Sequence, residues 1–126
     1  MTSTTDISQE TLFQRAGGDA AFQAVMSRFF ERIVADPELA PIFSRTNIER
    51  HARRTASFVA AATGGPKPWR GPDMAAAHAH LHATDAQFDR VAGHLVDTLE
   101  ELAVPAAVAD ELLDIVGSLR SQIVTG

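Results

Sequence analysis

The 126-residue chain contains no cysteine. That absence excludes disulfides, thiolate metal ligands and a cysteine nucleophile together. No apolar stretch approaches the ~18 residues that a membrane span needs. No segment keeps the alternation of period two that marks strands. The opening residues, Met1-Thr-Ser-Thr-Thr-Asp6, lack a basic start and an apolar run. Residues 1–8 are therefore expected to be a frayed tail and not a signal peptide. The remainder, 9–126, is expected to form one domain located in the cytoplasm. No nucleic-acid-binding motif is recognisable, and the acidic balance argues against a nucleic-acid partner.

What is present is ordinary for a soluble globular protein: 45% hydrophobic and 21% charged residues, with few glycines and prolines. A chain of this size buries about two-thirds of its unfolded surface, enough to enclose one internal cofactor. Net charge is −5, but its distribution is uneven. Between Arg45 and Arg70 lie six basic residues (Arg45, Arg50, Arg53, Arg54, Lys67, Arg70) and one acid, Glu49. From Asp73 onward there are nine acids against Arg90 and Arg120. The basic cluster is either a solvated helix face or an anion-facing rim beside a pocket.

Apolar positions recur at intervals of three and four throughout, which predicts an all-helical chain. A first helix is expected from Gln9 to Ala16, ended by Gly17-Gly18. Asp19 is placed to cap a long helix with Phe22, Val25, Met26, Phe29, Phe30 and Ile33 on one stripe. Asp36-Pro37 ends it and starts a short helix through Phe43. Asn47 caps the next helix, closed by Gly64-Gly65-Pro66. After the loop Lys67–Pro72, Asp73 caps a short helix bearing His78. Thr84 caps a helix with Phe88, Val91, Leu95, Leu99 and Leu102 inward. Pro105 opens the last, whose stripe is Val108, Leu112, Ile115, Val116, Leu119 and Ile123. Long helices with short connections predict crossed helices around one core.

Two histidines stand out. His51, Thr55, Phe58, Val59 and Ala62 share one helical face, apolar apart from one imidazole and one hydroxyl. An unpartnered buried imidazole is costly, so His51 needs a hydrogen-bond partner or a ligand. His78 lies in Met74-Ala-Ala-Ala-His-Ala-His-Leu-His82. If that stretch were extended, His78, His80 and His82 would share a face and resemble a zinc site. The preceding alanines favour helix, which separates His80 and leaves His82 at or beyond the helix end. His78 then stands as a single axial ligand among small neighbours. Its second ring nitrogen can donate to the Met74 carbonyl one turn back and fix the tautomer. Two imidazoles from two helices facing one apolar slot suit a flat, metal-centred group.

Together these segments resemble the truncated haemoglobins, specifically group 1, the two-over-two globins. The matching pieces run from Thr11 to Val124: Leu12-Phe-Gln-Arg-Ala-Gly-Gly18, Arg28-Phe-Phe-Glu-Arg-Ile-Val-Ala-Asp36, Leu39-Ala-Pro-Ile-Phe43, Gly64-Gly-Pro66, Met74-Ala-Ala-Ala-His78, Thr84-Asp-Ala-Gln-Phe88 and Gly93-His-Leu95. The resemblance implies an all-α truncated globin fold, a two-over-two helical sandwich enclosing haem b (iron protoporphyrin IX). It makes His78 the proximal iron ligand, Phe43 a ring packed on the haem face, Arg54 a partner for a haem propionate and Trp69 an aromatic against the haem edge. Phe30, Phe58 and Val59 line the same pocket.

Departures from the family pattern bear on chemistry. The usual distal tyrosine aligns with Phe30, and the chain has no tyrosine. Hydrogen bonding to a ligand then passes to His51, with Thr55 as a second donor, each worth roughly 0.5–1.5 kcal/mol. A bulky phenylalanine of some relatives aligns with Val59, which opens the gas path. His80, His82 and Ala83 replace the frequent Gly, Gly and Ile. The implied function is reversible binding of diatomic gases (oxygen, nitric oxide, carbon monoxide). With an external reductase it extends to nitric oxide dioxygenation, and weak peroxidase activity is a further enzyme reading of the same haem. The alternative is a bis-histidine haem protein for electron transfer or gas sensing, with His51 as the second ligand; a haem-free helical interaction domain is a third. The resemblance implies no membrane partner and a monomer or weak dimer.

Overall fold

The computed structural model describes residues 10–125, so the expected tail and the first expected helical residue, Gln9, lie outside the described residues. Most helices begin where a side chain satisfies free amides. Thr11 and Gln14 form a capping box at α1 (Leu12–Ala16). That box holds Thr11 extended, so α1 starts at Leu12 and not earlier. Asn47 accepts from the Arg50 amide at 3.0 Å to start α3 (Ile48–Ala62). Asp73 accepts from the Ala76 amide at 2.7 Å to start α4 (Met74–His78). Thr84 and Gln87 form a second capping box at α5 (Asp85–Glu101).

By contrast, α2 (Gly18–Ala35) starts at Gly17 without a side-chain cap. Gly17 sits at φ +111°, and a Cβ there would fall 2.9 Å from that of Ala21. The glycine turn runs α1 directly into α2. Asp19, expected as the cap, therefore lies inside the first turn, where its carboxylate faces the positive helix end. All six residues of the expected stripe are buried: Phe22, Val25, Met26, Phe29, Phe30 and Ile33. Beyond Asp36 a 3₁₀ turn (Ala40–Phe43) replaces the expected short helix.

The largest interface is α2 on α3, with α5 packed on α2 and α6 (Ala106–Ser118) on α5. This is a two-over-two sandwich, with no strand among the described residues. Ala52, Ala56 and Ala60 are the buried residues of α3, so methyl groups form the centre of its contact with the core. Expectation fails near the two helix ends. Leu102 is 40% exposed, because α5 stops at Glu101 and the chain turns at Ala103 (φ +56°). The fully buried Thr98 takes the inward place, its hydroxyl donating to the His94 carbonyl at 2.8 Å. The last expected helix breaks at Leu119, before α7 (Arg120–Ile123). Gly117 and Ser118 weaken it there, and Ser118 Oγ donates back to the Ile115 carbonyl at 2.6 Å. The short α7 packs on α4, and the Thr125 amide donates to the Ala83 carbonyl at 3.0 Å. The C-terminal segment thereby braces the helix that carries His78.

A buried carboxylate joins the two layers. Asp36 ends α2 with only 4% of its side chain exposed. Its oxygens accept from Arg90 Nε at 2.5 Å and Nη2 at 2.9 Å, from His94 Nε2 at 2.7 Å and from the Glu38 amide at 2.9 Å. The Arg90 guanidinium, then the His94 ring, hold the Asp36 carboxyl far below the ordinary carboxylate range. The stability from this depressed group is present above the ordinary value of 3.8 and lost as pH falls through the folded value. Asp36→Asn should therefore lower the melting temperature at pH 7. The gap between variant and wild type should narrow as pH drops below about 3.8 in thermal denaturation.

Candidate functional site

The face of α3 beside its buried alanines carries His51, Thr55, Phe58 and Val59, all half-buried, while Ala62 at its end is exposed. It is only partly covered, by Phe30, Phe43 and Trp69. His51 stands in an aromatic corner. Its ring centroid lies 4.9 Å from Phe30, at 76°, and 5.6 Å from Phe43, at 51°. Phe30 and Phe43 meet edge to face at 5.8 Å. Phe30 is supplied by the buried stripe of α2, and Phe43 by the 3₁₀ turn that follows it. Burial, then the charges of His78 and Arg54, push the His51 imidazole below its ordinary value of 6.5. His51 is therefore neutral at pH 7, with one ring nitrogen free to donate.

His78 ends α4 half-buried, and its Nδ1 lies 2.9 Å from the Met74 carbonyl, the bond anticipated from the spacing. The carbonyl can only accept, so in the neutral ring Nδ1 carries the proton and Nε2 keeps its lone pair. His78 is close enough for its charge to be felt at His51. The zinc alternative does not survive: a 3₁₀ turn (Ala79–Leu81) follows α4, and His82 turns away in a left-handed conformation at φ +50°. Among the described residues no group of three or more His, Cys, Asp or Glu is placed to hold a metal ion.

Thr55 is near His51, but its hydroxyl donates to the His51 carbonyl at 2.9 Å, which uses its one proton inside the helix. Phe58 meets Trp69 edge to face at 5.5 Å, and Trp69 Nε1 donates to the Pro72 carbonyl at 3.0 Å. Phe58 and Val59 also line a wholly apolar cavity reaching between α2, α5 and α6, with Leu95, Leu99, Leu112 and Val116 behind them. Arg54 is exposed and has no ion-pair partner among the described residues. The site thus brings two imidazoles near one another beside aromatic and apolar side chains, with the exposed Arg54 close by. These residues fit haem: a lone-pair nitrogen, flat apolar walls and an anion partner at the rim.

The chain matches the family model for bacterial-like globins over residues 11–125. It belongs to that family. Its relatives include a group 1 truncated hemoglobin of Chlamydomonas moewusii, 38% identical over 90% of this chain and 67% of that one. Another, from Mycolicibacterium paratuberculosis, is 36% identical over 92% of this chain and 85% of that one. Among solved structures, the Fe(III) form of the truncated hemoglobin from Tetrahymena pyriformis superposes with a TM-score of 0.86 at 26% identity, covering 93% of this chain and all of that one. A 2/2 hemoglobin from Synechococcus, in the cyanomet state with covalently attached heme, gives 0.84 at 32% identity, covering 90% and 95%. The globin is therefore a haem-binding, group 1 truncated haemoglobin.

Two features of the globin escaped sequence reasoning. The Asp36, Arg90 and His94 cluster joins positions 54 and 58 residues apart, and Asp36 looked like a simple helix stop beside Pro37. Gly71 packs under Trp69: a Cβ there would lie 2.3 Å from the indole ring. Gly71→Ala should displace the indole from Phe58. Since Trp69 is the sole tryptophan, a red shift of the emission of the haem-free protein checks this directly.

Proposed function

We propose that the chain holds haem b through His78 and reversibly binds oxygen and other diatomic ligands, with His51 as the hydrogen-bond donor to the ligand. What supports this is the nearness of two imidazoles: His78, whose Nδ1 bonds the Met74 carbonyl and leaves Nε2 available, and the half-buried His51, which feels its charge. Haem supplies, when bound, an open coordination position for oxygen, nitric oxide or carbon monoxide and, given electrons from a reductase, the chemistry to oxidise nitric oxide to nitrate.

The chain's own residues do the rest. His78, oriented by the Met74 carbonyl, presents a nitrogen whose tautomer is fixed. Phe43 and Phe30 hold the His51 ring edge-on and keep water from its face. His51 donates one N–H to a ligand that carries partial negative charge, worth roughly 0.5–1.5 kcal/mol. Thr55, with its proton committed to the His51 carbonyl, positions that turn of α3 and does not donate. Arg54 pairs with a haem propionate. Trp69 and Phe58 form an aromatic wall at one edge of the slot, and Val59 leaves the adjoining apolar cavity open to uncharged gases.

A second reading makes His51 the other iron ligand, giving a bis-histidine protein for electron transfer or gas sensing. It rests on the same proximity of His51 to His78. The aromatic corner favours the donor role, because both phenylalanines restrain the ring at the slot's edge. Cytoplasmic location accords with the absence, among the described residues, of a helix long and apolar enough to cross a membrane.

His51→Leu should speed oxygen dissociation by about two- to twelvefold, the equivalent of one lost hydrogen bond. Thr55→Val should leave that rate close to wild type. Stopped-flow ligand replacement measures both, and an unchanged rate in His51→Leu would reject the donor role. His78→Ala should purify with little or no Soret absorbance, checked by the ratio of haem to protein absorption.

A further inference from the structure

The basic residues of this chain divide into two sets by their partners. Arg15, Arg28, Arg32, Arg90 and Arg120 each sit in an ion pair. The six between Arg45 and Arg70 have no carboxylate within 4.0 Å among the described residues. All six are exposed. With Glu49 they leave +5 on that segment and −10 on the rest of the chain. Such a separation is a strong molecular dipole with its positive end on α3 and the turns that flank it.

That positive end runs along the face of α3 next to His51. Arg50 and Arg54 lie one turn apart on the same side of His51, and the Arg54 charge is felt at its imidazole. Arg70 follows Trp69, whose ring packs on Phe58. Arg45 precedes α3. The haem propionates account for Arg54 and not for a set of cations spread along a 15-residue helix of ~22 Å. A charged face of that length matches an extended acidic surface. The sole tryptophan is half-buried against Phe58, so the face offers no free aromatic platform for the bases of a nucleic acid.

We propose that this face is the docking surface for an acidic electron-donor protein, which would deliver single electrons at the rim of the slot. The proposal rests on the haem reading above. One electron leaves the donor's flavin or iron–sulfur centre, which is oxidised, and enters the ferric haem iron, which is reduced; no atoms are exchanged. Steering by opposite charge raises the encounter rate with such a donor and fades as salt screens it.

The test is Arg45→Glu/Arg50→Glu/Arg53→Glu in the haem-loaded protein, with Arg54, His51 and His78 intact. The probe is a reduced acidic [2Fe–2S] ferredoxin, followed by stopped flow across a range of ionic strength, with lumiflavin as a small uncharged reductant. The variant's rate with ferredoxin should fall by about tenfold or more at low salt and lose most of its salt dependence. Its rate with lumiflavin should stay at the wild-type value. Binding of oxidised ferredoxin, measured by calorimetry, should weaken in parallel. Equal ferredoxin rates and affinities in wild type and variant would overturn the proposal, as would tighter binding to phosphatidylglycerol vesicles than to ferredoxin. A preparation without a Soret band would refute the haem reading instead, and the calorimetric comparison would still decide the surface.

Discussion

The close approach of α3 to α2 through Ala52, Ala56 and Ala60 is the constraint on which the rest of the molecule depends. Side chains larger than methyl would lift α3 away from Phe30 and the rest of the α2 stripe. With alanines there, the two helices lie close, and the neighbouring face of α3 is only partly covered. That face carries His51, and Phe30 reaches it from α2 at 4.9 Å. The position of the imidazole is therefore a result of core packing, not of a loop. Everything chemical in the slot is measured from that helix.

The opposite wall is built differently. The short α4 has only five residues and none of them is buried, so little of its stability is its own. It is held by the Asp73 cap at its start, by contact with α7 and by the tie between Thr125 and Ala83 after its end. A rigid wall made by core helices thus faces a braced but lightly packed one. Such a pair can hold a flat group, because one side fixes position and the other adjusts to it. Binding of that group to the folded state stabilises the fold by mass action.

Much of this was legible in the residues, and the reasons are local. The α2 stripe, the caps at Asn47, Asp73 and Thr84, and the bond from His78 to the Met74 carbonyl all follow from spacings of three and four. Where the structure departed, a competing interaction had been invisible. Thr55 looked like a free hydroxyl, but its proton goes to the His51 carbonyl. Leu102 continued the apolar rhythm of α5, but the helix stops one residue before it. Asp36 read as a terminator, yet it links α2 to Arg90 and His94 across the layers. Pairings between distant segments leave no periodic trace, which is why they were missed.

On the proposed reading His78 alone would hold the iron, and His51 would stand ready for a ligand without taking its place. The visible absorption spectrum of the purified ferrous protein, free of oxygen and added ligands, tests this most directly. A single broad visible band, the mark of an open coordination position, is the expected result. Two sharp, split bands would put His51 on the iron and contradict it.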